Sequence, residues 1–156
     1  MKIIRKKCWA LVLLVLFCFM GLSAYAVQHE TLDDRFKKPA YRASWQAMFK
    51  GEKNVAPWYA KMDNNYQSNV SRCKPSTIDG IEYEVHTLCK KHDCGDNNFI
   101  VFFAPEGRQA WGVLVLTSYG PKGDLAKSSE RFFGKPDQNM KDALSKAKSC
   151  ERVMPE

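Results

Sequence analysis

The chain lacks most of the signatures by which an enzyme or a nucleic-acid binder is recognised. It has no Gly-x-Ser-x-Gly elbow, no phosphate-binding glycine loop, no Cys-x-x-Cys pair and no paired-acid arrangement of the glycosidase kind. Histidine is scarce, with three in 156 residues: His29, His86 and His92. After residue 26 no basic run is longer than two residues, which argues against nucleic acid and against electrostatic docking on a membrane. There is no internal repeat and no low-complexity stretch. These absences point away from an enzyme and from any cofactor or metal, and toward a binding protein.

What the chain does have begins at its N-terminus. Residues 1–7, MKIIRKK, carry four positive charges, residues 8–22 carry none, and Ala24 and Ala26 make a small-x-small cleavage signature. That three-part layout is a secretory signal peptide, and the apolar run is short for a membrane span. Cleavage is expected after Ala26, leaving a single domain over 27–156 in the periplasm. Four of the 24 basic residues and none of the 17 acids belong to the signal, so the mature chain is only at about +3.

Cys8 and Cys18 leave with the signal, and Cys73, Cys89, Cys94 and Cys150 remain. An even count in an exported chain favours disulfides. Cys89–Cys94 closes a short ring, which leaves Cys73–Cys150 by elimination, a bridge closing a long loop.

Periodicity gives the fold class. Residues 27–38 are polar and charged and read as a lead-in. Pro39 opens a helix with Tyr41, Trp45, Met48 and Phe49 on one stripe, and Gly51 stops it. A helical turn is expected at Pro57, with Trp58 and Ala60 inward. Residues 69–74 are a weak strand candidate, and Asp79-Gly80 is a hairpin signal. Beyond it Ile81, Tyr83 and Val85 alternate as a buried face with Glu82, Glu84 and His86 as a wet one, so His86 is expected at the surface. Residues 99–104 and 111–116 are apolar on both faces, as in central strands covered on both sides by helices, more chain or a second subunit. Residues 118–130 read as a polar connection and 131–133 as a short edge strand. A last helix begins near Pro136, with Met140, Ala143, Leu144 and Ala147 inward. The expected fold is α+β, a central antiparallel sheet with helices packed on it.

The stretch Cys89-Lys90-Lys91-His92-Asp93-Cys94 leaves several readings open. Cys89, His92 and Cys94 have ligand chemistry for zinc, but a structural site needs four ligands and the other cysteines and His29 are distant in sequence. A thiol site would place His92 beside a low-pKa cysteine, yet the spacing is Cys-x4-Cys rather than the redox Cys-x-x-Cys. An oxidising compartment opposes both by closing the disulfide. A clipped turn with an idle histidine is the plainest reading. The alternative is a presentation loop, in which Lys90, Lys91, His92 and Asp93 project from a hairpin end that the bridge has already ordered. A preorganised imidazole offers up to two donors, and carboxylates in a cleft are its natural target.

This stretch resembles the signature loop of the Ivy family, the inhibitors of vertebrate lysozyme. That loop is Cys-Lys-Pro-His-Asp-Cys, usually followed by glycine; here Cys89 to Gly95 match it at every position but one. The similarity extends through Gly51 and Pro57-Trp58, Gly80 with Tyr83 and Val85, the strands around Val101 and Gly112, and 132–144, FFGKPDQNMKDAL, like the Gly-x-Pro-Asp helix start of many relatives. It spans about 41 to 147. The resemblance implies a periplasmic α+β protein, often a homodimer, whose loop enters the substrate cleft of c-type lysozymes. His92 would bond the two catalytic carboxylates, Lys90 and Asp93 would shape or flank the contact, and Cys89–Cys94 would be the bridge. The cell's own lytic transglycosylases, acting on the same glycan, are a second target class. Lys91 stands where the family has proline; it loosens the loop and adds a charge, so a shifted target preference is expected.

Overall fold

The computed structural model describes residues 31–61, 68–122 and 124–149. The signal segment, His29 and Cys150 lie outside the described residues. Among the described residues no helix is long and apolar enough to cross a membrane.

Three helices lead into the sheet: α1 (Leu32–Phe36), α2 (Pro39–Met48) and α3 (Pro57–Ala60). The strands are β1 (Ser68–Arg72), β2 (Ser76–Ile78), β3 (Ile81–Lys90), β4 (Asn97–Phe103), β5 (Ala110–Tyr119) and β6 (Leu125–Phe133), and α4 (Gln138–Lys146) follows. All the strand pairings are antiparallel, in the order β1-β3-β4-β5-β6, with β2 continuing along the β1 side of β3. The α+β architecture read from the sequence is the one observed. The β2–β3 hairpin turns at Asp79 (φ 49°) and Gly80 (φ 78°), the pair of positive angles that Asp-Gly supplies.

Each face of the sheet has its own core. Leu88, Phe99, Val101, Phe103, Leu114 and Phe133 pack against α1, α2 and α3. Val85, Ile100, Phe102, Val113 and Val115 pack against Met140 and Leu144 of α4. The two-sided apolar strands are therefore covered by this chain's own helices. Trp45 donates its indole N–H to the Ala60 carbonyl (3.1 Å), which fastens α2 to α3. At Gly112 the Phe99 ring lies across β5, where a Cβ would come within 2.3 Å of it.

Four sequence expectations change. The polar lead-in contains α1, started by a Thr31–Asp34 capping box, and it buries Leu32 and Phe36. His86 is only 1 % exposed, because α1 and α2 cover the face of β3 that alternation assigned to water. Ile81, expected inside, is 47 % exposed, as the first residue of β3 directly after the Asp79-Gly80 turn. The polar connection over 118–130 is largely the β5–β6 hairpin, β6 being an edge strand that tolerates polar residues.

Burial of His86 creates a charged cluster. Glu84 Oε1 accepts from Arg35 Nε and His86 Nε2, both at 2.7 Å, and Oε2 accepts from the Tyr41 hydroxyl at 3.1 Å. Burial by itself would raise the Glu84 carboxyl, but the bonds from His86 and Arg35 outweigh it and hold the group at about 2, against an ordinary 4.5. A folded value below the unfolded one stabilises the fold fully above about pH 4.5, and that share is lost as the pH falls toward 2. Glu84→Gln is expected to cost about 3 kcal/mol at neutral pH, because it removes the part-buried negative charge to which Arg35 and His86 are bonded. Urea unfolding at pH 7 and pH 3 checks this: the gap between variant and wild type narrows at the lower pH.

Candidate functional site

The β3–β4 connection is built from its ends inward. Leu88 stands opposite Phe99 and Cys89 opposite Asn98, so the last rung of the ladder lies at the base of the loop. Cys89 and Cys94 are joined, with Cα atoms 4.8 Å apart. Neither sulfur is then a thiolate, which removes the ligand or nucleophile that the zinc and thiol readings require. Among the described residues no group of three His, Cys, Asp or Glu side chains could hold a metal ion. Cys73 is disulfide-bonded; its expected partner, Cys150, lies outside the described residues.

The tip is a tight turn. The Asp93 amide donates to the Lys90 carbonyl at 2.9 Å, with Lys91 and His92 at the two central positions. His92 has φ 65° and Lys91 a negative φ, the sign pattern of a type II turn. The second central position normally favours glycine, and histidine is one of the side chains that enter the left-handed region more often than most. Proline is favoured at the first, where Lys91 stands, and Lys90, in extended conformation at the end of β3, is what a following proline requires.

Asp93 organises the loop from inside. Its carboxylate accepts from Lys90 Nζ (3.0 Å) and Asn97 Nδ2 (2.6 Å), and its carbonyl accepts from the Asn97 amide (3.0 Å). Asn98 Nδ2 donates to the Cys94 carbonyl at 2.9 Å, and the Thr117 amide of β5 donates to the Asp96 carbonyl at 2.8 Å. Lys90 and Asp93 therefore serve the loop's own shape, while Lys91 and His92 are exposed at the apex. No hydrogen bond to the His92 ring is found among the described residues. The four candidates Lys90 to Asp93 thus come together on one convex tip. Asn97 and Thr117 were not legible as parts of it: Thr117 acts through its backbone N–H, which no side-chain pattern reports. An open cavity of about 590 Å³ lies elsewhere, between β2 and α4.

The family model described as "Inhibitor of vertebrate lysozyme (Ivy)" matches residues 40–148. A Pseudomonas aeruginosa protein named "Inhibitor of vertebrate lysozyme" is 29% identical over 127 residues, covering 79% of this chain and 80% of the relative. An uncharacterised Yersinia pestis protein is 30% identical over 122 residues, 74% of each chain. A second P. aeruginosa protein, also uncharacterised, is 27% identical over 107 residues, 67% of this chain and 66% of the relative. Nothing in these comparisons points to lytic transglycosylases or to a homodimer.

Lys91→Pro is expected to slow hydrogen exchange at the Asp93 amide, and Asp93→Ala to speed it at the Asn97 amide. Each effect should be roughly five- to tenfold, the size of one hydrogen bond. Exchange followed by NMR, with the thermal midpoint as the control for global stability, reads both.

Proposed function

The chain belongs to the Ivy family, and from that premise we propose that it is an exported inhibitor of c-type lysozyme that acts by inserting its Cys89–Cys94 loop into the enzyme's substrate cleft. The observation that carries the reading is the exposed His92 ring, held at the apex of a turn that the disulfide and Asp93 have already ordered. In this role the protein performs no chemistry. It acts in the periplasm after loss of residues 1–26.

The chemistry of the target explains why an imidazole suits it. A retaining glycosidase of this kind works with one protonated and one ionised carboxyl group about 5 Å apart. A neutral imidazole carries one donor and one acceptor, so it can give its N–H to the carboxylate and accept the proton of the acid. Both groups are then engaged and the sugar site is filled. Preorganisation matters because ordering a free loop on docking would subtract from affinity. At about +3 the mature chain gains no long-range steering toward a basic enzyme, so affinity comes from shape and local contacts. Lys91 beside His92 brings a cation toward that enzyme, and target preference among lysozymes is expected to depend on it.

His92→Ala is expected to weaken inhibition of a vertebrate c-type lysozyme by at least about 2 kcal/mol, roughly thirtyfold. The double change Cys89→Ala/Cys94→Ala should weaken it less, through lost ordering. Turbidity assays on bacterial cell walls measure both. Full lysozyme activity in the presence of micromolar wild-type protein would sink the proposal.

A further inference from the structure

We infer that the outer end of the β5–β6 hairpin is a second contact surface for the same lysozyme, with Tyr119 and Leu116 as its apolar anchors. The inference rests on the loop-insertion reading above and adds a surface to it.

Among the described residues the large apolar side chains that lie exposed are Val70, Ile81, Leu116 and Tyr119, at 36%, 47%, 43% and 51% exposure. Ile81 is alone at the far end of β3. The other three border the loop: Val70 pairs with Leu88, Leu116 with Asn97 at the loop's C-terminal foot, and Tyr119 is three residues further along β5. Val70 and Leu116 fall on the face that carries Leu88 and Leu114, and Tyr119 on the opposite face with Val113 and Val115, so this end of the hairpin exposes an apolar side chain on each face.

β4 begins at Asn97, but β5 continues past it through Thr117, Ser118 and Tyr119, roughly 10 Å at ordinary strand rise. The hairpin therefore rises beside the loop as a second prong. Its base is tied to the loop by the Thr117–Asp96 bond, and its turn is closed by the Gly120 amide on the Asp124 carbonyl at 2.8 Å. The register shift here, Ser118 opposite Lys127 but Tyr119 opposite Leu125, puts one extra residue into β6 and leaves the alternation of β5 unbroken.

A specific protein complex buries about 800 Å² per partner, drawn from roughly 20–30 residues. The tip from Lys90 to Asp93 is far too small to supply that. A cleft deep enough to take a loop also has rims, and on the β5 side the rim meets this hairpin. Tyrosine is among the residues that serve best as interface anchors.

The test compares full-length exported wild type, Tyr119→Ala, Leu116→Ser, His92→Ala and Ile81→Ala against one vertebrate c-type lysozyme, by inhibition constant and by dissociation rate. Tyr119→Ala with Leu116→Ser is expected to raise the inhibition constant at least tenfold, mostly through faster dissociation. Ile81→Ala, as exposed but at the other end of the sheet, should change nothing, and thermal midpoints should stay together. If the hairpin variants inhibit like wild type while His92→Ala does not, the hairpin surface is overturned and the loop reading stands. If wild type fails to inhibit, the loop reading falls and this inference falls with it.

Discussion

The pairing of Leu88 with Phe99 is the constraint on which the rest of the molecule depends. Both side chains are completely buried and sit in the core beneath α2 and α3. A slip of one residue between β3 and β4 would turn both to the opposite face, which a buried sheet does not tolerate. That register sets Cys89 opposite Asn98 and so fixes how much chain is left for the loop. Phe99 is in turn held by Leu114 on β5 and by the open space above Gly112. The loop is positioned by a rung of packed core next to it, and its own hydrogen bonds only have to shape the tip.

Two kinds of order follow from this. The sheet and its helices are held by burial on both faces and by the Glu84 cluster. The tip is held by polar contacts that are partly exposed and individually worth little, together with a ring that constrains few residues. Its contribution to global stability is therefore small, while its contribution to shape is large. A left-handed histidine is unfavourable by itself, and it persists because the disulfide, the Asp93 carboxylate and the Lys90–Asp93 turn all require the same chain path.

Much of this was legible in the sequence, and the exceptions have physical causes. The α2 stripe, the Asp-Gly hairpin, the two central strands and the start of α4 each carry a local signal, in period or in turn chemistry, and each was found. The loop was legible by motif. α1 is only five residues long, too short for a helical period to show, although its capping residues Thr31 and Asp34 were available to be read. Missing α1 led directly to the error at His86, since alternation reports a wet face only where nothing covers it. β6 was legible only at its end, 131–133, for the opposite reason: an edge strand needs no apolar alternation to pair, and its partner β5 supplies the register.

The departure at Lys91 can be explained in the same terms. In the family loop proline would set φ at the first central position of the turn covalently. Here that position is free to be lysine because its geometry is fixed from both sides: Lys90 is still in the β3 ladder, and Asp93 bonds back to Lys90 through both amide and carboxylate. The ordering comes from neighbours instead of from the residue itself. Such ordering is weaker, since hydrogen bonds at a surface exchange with water and a proline ring does not. It leaves a side chain at the apex that can carry charge. The loop thereby gives up some rigidity in the free state and carries beside His92 an exposed cation that a proline would not supply.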